Sequence, residues 1–473
     1  MTIGPHELLW ADPDVYHRRR EKSALALIAV ARALASRPSS APGAGEFLRL
    51  YDWVSTADPD HFTEIWCDPV AYFWVRRAMH FLASCLGEPL GTVEQAYCDE
   101  VGATSAAEAL ALHLEEFKSF AIALAIVSGR DLALERPYAV SLPLAVPGTD
   151  LVITGPARAT IAGVSNRTAL TSAGVRIEQC PVVRVDGARV YLNAARFRVP
   201  GIGFPTDWAA LPLEFQSRHR DTVGDALRTI RRFQPTTFRH MEEALHTIAL
   251  RPNDGKPFNI SASELPGSFV CTMPSDPFAL AGAFIHEFHH NTLFGIEEAG
   301  AFFQTSERDE IEGENHYSPW VETLRPLHGI LHAVYVFLAV FRFWTAVATE
   351  GSCDTGVSEA QLAFAREQIA LIPQQLRIGT NQLRRHARFT SFGATIFEAL
   401  AAEGAEAEAS SRTMGASLRT AAMGVTPSGA LRPLIQHGKP VTVADLLLDH
   451  LTKSDVHHEC DAERSSLERA LGA

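Results

Sequence analysis

The chain has 473 residues, 47% hydrophobic and 21% charged, an ordinary globular composition that excludes wholesale disorder and allows about two to four domains. Its formal charge of −13 argues against a nucleic-acid partner, because phosphate-backbone affinity rests on lysine and arginine. A basic groove for a small anion or an acidic peptide stays compatible with that balance.

The seven cysteines, Cys67, Cys85, Cys98, Cys180, Cys271, Cys353 and Cys460, are odd in number and never spaced C-x-x-C. That pattern opposes a zinc-finger or disulfide framework and suits a reducing compartment. The opening MTIGPHELLWADPDVYHRRREK has no apolar core of signal-peptide length, so a cytoplasmic protein is expected. Residues 1–135 read as a helical region. Ser23 to Ser36 has helix-forming composition, and Ala106 to Ser128 reads as one long apolar helix closed by Gly129. Residues 136–213 are rich in Val, Ile and Thr, and read as a small antiparallel β region. Within it, Val182 to Leu192 holds two short runs around Asp186-Gly187, a hairpin signal. Pro200 to Pro205 reads as a linker.

Residues 214–426 read as the helical catalytic region. The arginines between Arg218 and Arg239 read first as a solvated helix face, with a surface for an acidic peptide as the alternative. Leu327 to Ala348 is apolar enough to span a membrane. It also holds His328, His332 and Arg342, so a buried core helix with a polar task is expected and no membrane partner. Residues 427–473 read as a C-terminal tail, amphipathic around Val441 to Leu451 and then polar, whose cluster His457-His458-Glu459-Cys460 reads as a mobile terminus, with metal binding as the alternative. There is no internal repeat, no Gly-rich phosphate loop and no G-x-S-x-G elbow. The expected fold class is α+β, mainly helical with a small antiparallel β region in the middle.

The chemistry concentrates in Ser275 to Gly295. Ser275 or Asp276 can cap a helix, Pro277 fits its first turn, and Gly295 is placed to end it. Inside lies His286-Glu287-Phe288-His289-His290, an H-E-x-x-H. On a helix His286 and His290 share one face a turn apart, close enough to share a metal, with Glu287 beside them as candidate catalytic group. A third ligand is needed. The extended motif with a further glycine and histidine fails, because Leu293 and Ile296 occupy those positions. Glu310 has the spacing of the peptidase arrangement but sits in the polar, acidic stretch Glu297 to Tyr317. His328 and His332, again one turn apart, lie on the apolar segment. His332 lies deeper and is preferred, with His328 and Glu322 as alternatives. Arg325 and Arg342 flank the segment and can hold a carboxylate by two parallel hydrogen bonds.

The run IHEFHH, followed downstream by YSPW, by RPL-x-G-I-L-H and by an aromatic apolar helix, resembles the HExxH-type peptide-modification family of ribosomal peptide biosynthesis. The resemblance covers about Phe269 to Trp344. It implies a non-haem Fe(II), 2-oxoglutarate-dependent oxygenase that hydroxylates a side-chain Cβ of a precursor peptide. It also implies iron on His286, His290 and His332, with Arg325 as anchor for the cosubstrate and Arg342 in reserve. Val321 to Pro326 departs from the Arg-Asp-Pro-Arg-Pro run of many members: the first arginine and the aspartate are not reproduced. Two other readings compete. One is a Zn peptidase with Glu287 as general base on a metal-bound water. The other is a non-catalytic precursor-binding protein with a structural metal. The sequence carries no signal for an oligomeric state.

Overall fold

The computed structural model describes residues 14–36, 42–171, 174–202, 211–253, 259–274, 276–304, 316–321, 323–351, 356–422, 434–436 and 439–441. Its chain forms two compact units, one ending at Ile296 and the other beginning at Glu297. The N-terminal unit opens with helices Asp14–Ser36 (α1), Ala44–Ser55 (α2), Pro59–Trp66 (α3) and Pro69–Cys85 (α4). Two Asp-Pro steps start α3 and α4. Asp58 and Asp68 accept hydrogen bonds from the amides of Asp60 and Val70, and each proline fits a first turn that needs no N–H. Thr92–Val101 (α5), Ala106–Glu116 (α6) and Lys118–Ser128 (α7) come next. The single helix expected over Ala106 to Ser128 is therefore two. At Phe117 the bonding tightens, with Phe117 N–H donating to Leu114 and Phe120 N–H to Phe117. Gly129, at φ +72°, ends α7 as expected. The core between these helices is aromatic: Trp74 lies 5.1 Å from Phe117 and 5.8 Å from Phe47, and Trp66 lies 5.3 Å from Phe120.

The β-rich middle supplies Leu132–Ser141 (β1), Leu144–Ala145 (β2), Leu151–Thr154 (β3), Arg158–Ser165 (β4), Thr168–Thr171 (β5), Arg176–Gln179 (β6), Val182–Val185 (β7) and Ala188–Leu192 (β8). Two antiparallel three-stranded sheets form, β1-β4-β5 and β2-β3-β6. The expected hairpin is present as β7 and β8, with Val185 opposite Ala188 and Asp186 at φ +48° in the turn. The residues read as a linker are tied down at their start. The buried Arg77 donates to the Pro200 carbonyl, and Glu100 accepts the Gly201 amide.

The next segment differs from the helical reading. Leu213–Arg218 (α8), Arg220–Phe233 (α9) and Pro235–Ala244 (α10) lead into Thr247–Arg251 (β9), Ile260–Ser261 (β10) and Ser268–Thr272 (β11). These strands join the hairpin in a five-stranded mixed sheet of order β10-β11-β9-β8-β7. β8 and β9 are parallel, as are β9 and β11. A parallel pair needs a long crossover, and α8 to α10 provide it between β8 and β9. The central strands are buried along nearly their whole length, which is why they read as continuous apolar runs rather than as alternation. The basic stretch is largely occupied: Arg228 pairs with Asp225, Arg231 with Asp186, and Arg232 lies over the Phe233 ring. That matches a solvated face.

After β11 the chain enters Pro277–Glu297 (α11), whose Phe284 packs on Phe269 of β11 with ring centroids 5.4 Å apart. The C-terminal unit continues with the hairpin His316–Ser318 (β12) and Thr323–Arg325 (β13), then Leu327–Glu350 (α12), Glu359–His386 (α13) and Ser391–Ala422 (α14). A capping box of Ser358 and Gln361 opens α13. Leu434–Gln436 (β14) and Lys439–Val441 (β15) form a last hairpin, while the cluster at His457 to Cys460 lies outside the described residues. The apolar helix α12 is long enough to cross a membrane, but 78% of its apolar window is buried in protein, where α13 and α14 pack on it. The class is α+β and mainly helical, with antiparallel and mixed sheets in the middle of the chain.

Candidate metal centre

Asp276 starts the motif helix by accepting the Phe278 amide, with Pro277 in the first turn. Ser275 lies outside the described residues. Gly295 does not end the helix, because it is buried and keeps a backbone outside the left-handed region. Two further residues stay helical, and the last is Glu297. Along α11 the partly open positions 283, 286, 290, 294 and 297 make one stripe.

His286 and His290 stand on that stripe with their Nε2 atoms 3.2 Å apart. That is the spacing of two nitrogens sharing one ion at about 2.1 Å each. The adjacent His289 is buried, and its Nδ1 lies 2.7 Å from the Ile285 carbonyl, a structural bond within the helix. Glu287 is also buried. Burial pushes its carboxyl up to about 8, against a hydrogen bond from Ser261 that works the other way.

A second donor group lies within the C-terminal unit. Glu297, His328 and His332 bring one ligand atom each to within 4.8 Å of one another. His328 Nε2 is 2.5 Å from Glu297 Oε1, and His332 Nε2 is 3.5 Å from the same oxygen. The two histidines are one turn apart at the start of α12, their rings 4.5 Å apart. Burial alone would raise the Glu297 carboxyl, but hydrogen bonds to His328 and His332 outweigh it and hold the group at about 2. Burial lowers His332. An ionised carboxylate and a neutral imidazole are the forms a divalent metal binds. Two imidazoles and one carboxylate also match the ligand set of non-haem iron oxygenases.

The structure thus brings together His286 with His290, and His332 with His328 and Glu297. Glu297 was missed by the sequence reading because the stretch it opens is polar and acidic. The available signal was its spacing, seven residues after His290 and therefore two turns on along the same face. Arg325 ends β13, is exposed, and makes no ion pair among the described residues. Its stem runs beside Gly329 in the first turn of α12, with Cδ 3.6 Å from where a Cβ would stand. Arg342 instead pairs with Glu403, joining α12 to α14. Glu310 and Glu322 lie outside the described residues. A scan against protein-family models and a search of curated proteins both returned no match.

Proposed function

We propose that this protein is a non-haem iron, 2-oxoglutarate-dependent oxygenase that hydroxylates a side-chain Cβ of a ribosomally made peptide. The observation that carries the reading is the group of Glu297, His328 and His332, two imidazoles and an ionised carboxylate. The resemblance around IHEFHH and RPL-x-G-I-L-H supports the same chemistry. Iron with 2-oxoglutarate would supply the oxidant for a C–H bond that no side chain can break. The protein's part is to hold and shield. Glu297, His328 and His332 would hold the ion, with the carboxylate offsetting part of its charge. Arg325, which makes no ion pair among the described residues, would offer its guanidinium to the far carboxylate of the cosubstrate. The motif histidines His286 and His290 are proposed as metal ligands on their separation of 3.2 Å.

The zinc peptidase reading needs Glu287 as a base on metal-bound water. Its carboxyl is buried and takes a hydrogen bond from Ser261, which favours a positioning role. The test is anaerobic addition of 2-oxoglutarate to the iron-loaded full chain. A visible iron-to-keto-acid charge-transfer band is expected. Glu297→Gln and His332→Ala should lose it with their iron, and Arg325→Lys should keep iron but bind 2-oxoglutarate more weakly. Peptide cleavage that requires zinc and ignores 2-oxoglutarate would overturn the reading.

A further inference from the structure

The motif helix carries a second stripe beside its histidines. Glu287 and Asn291 are also one turn apart, offset from the line of His286 and His290 by about 100°. Both are buried, whereas the two histidines are partly open. Asn291 is 1% exposed, and both ends of its side-chain amide are engaged. Its Oδ1 accepts the Gly267 N–H at 3.0 Å. Its Nδ2 donates to the Ser268 carbonyl at 3.3 Å and to the Glu287 carbonyl at 3.2 Å.

The turn that Asn291 grips is itself fixed. Gly267 stands at φ +75°, and a Cβ there would lie 2.0 Å from the Ala244 carbonyl oxygen. The Gly267 carbonyl accepts from His246 and Thr247, at the entry to β9. One turn earlier on the helix, the Glu287 carboxyl takes a hydrogen bond from Ser261 of β10. Two polar anchors, at 287 and 291, therefore join one side of α11 to the ends of three strands. Apolar packing also resists rotation of a helix, through interdigitation of side chains, but it does not tie the helix to particular partner atoms. Hydrogen bonds do have direction, and rotation at this stripe would stretch and bend them.

We infer that Asn291 is the positioning residue of the metal motif, fixing the rotation of α11 and thereby aiming His286 and His290, with Ser261 acting on Glu287 as its second anchor. This rests on the reading of His286 and His290 as a metal-binding pair. It also gives the glutamate of the H-E-x-x-H a task in this chain besides base catalysis: its carboxyl, 3.8 Å from His286 Nε2, takes the Ser261 hydrogen bond and helps set the angle of the histidines.

The test is cobalt(II) titration of the full-length protein, followed by visible absorption. The part of the spectrum that His286→Ala removes reports the pair. In Asn291→Leu that part should need about 10–100-fold more cobalt, as for other outer-shell partners. Its ligand-field bands should also be displaced at saturation, an effect that simple loss of stability would not produce. Ser261→Ala removes one hydroxyl from a half-buried site and should move the bands in the same direction by less. It decides the matter if Asn291→Leu does not fold. Wild-type affinity and bands in both variants, with cobalt lost in His286→Ala, would overturn the positioning role and leave the pair standing. An unchanged spectrum in His286→Ala would remove the pair as a metal site and the inference with it.

Discussion

Lys118 is 1% exposed, and a buried ammonium survives only with partners. It lies 3.1 Å from Glu46, contacts Glu115, and donates to the Arg136 carbonyl. Burial alone would raise the Glu46 carboxyl, but Lys118 and Arg136 outweigh it and hold the group below its ordinary range. A carboxylate depressed in the folded state stabilises the fold above its unfolded pKa of about 4.3. That contribution fades as pH falls through the lower folded value. Glu46→Gln should therefore cost roughly 3 kcal/mol at pH 7, at the low end for a broken buried pair because Glu115 still faces Lys118. Urea melts of both proteins from pH 7 down to pH 3 check the sign: the gap must narrow as acid is added. A gap that widens would mean that Glu46 is not the ionised partner. The residue scale also shows what sequence leaves hidden. The i, i+4 histidines were legible because helical spacing alone puts them together. Glu297 was not, because its value comes from meeting His328 across 31 residues.

Helix α13 meets the β12–β13 hairpin at Gly379, where a Cβ would stand 2.6 Å from the Trp320 ring and 3.0 Å from Val334. Trp320 is stacked on Phe337 at 5.4 Å and has little room to retreat. Alanine is the better helix former by about 1 kcal/mol. Gly379→Ala should nevertheless destabilise, by roughly 1–3 kcal/mol, because overpacking outweighs propensity at a contact this close. Denaturant midpoints decide between them, and a stabilised variant would show that the hairpin yields. Elements were legible where the signal was local: the Asp186 turn, the Gly129 stop, and the Asp276-Pro277 start of the motif helix. β9 and β11 were not. Their parallel partners come through crossovers, and a buried strand such as Ser268–Thr272 has no alternation to distinguish it from a helical run. Gly295 misled because a glycine ends a helix only where the backbone turns left-handed, which packing rather than sequence decides.

At the scale of the whole chain, burial of α12 depends on helices made after it. The covering helices α13 and α14 are both C-terminal to it. Order of synthesis therefore matters. At about 5–20 residues per second, the ribosome exposes an unpaired apolar helix for several seconds before its cover has been made. During that interval the nascent chain presents the surface that chaperones and targeting factors read, although the finished protein hides it. Nascent chains stalled once α12 has cleared the ribosome should crosslink to such factors, and chains extended until α13 and α14 have also cleared it should not. Equal crosslinking at both lengths would mean that the helix finds cover earlier. By the same reasoning, a premature stop within α13 should leave an aggregating product rather than a shortened but folded protein, since the donors His328 and His332 sit on the very helix left uncovered.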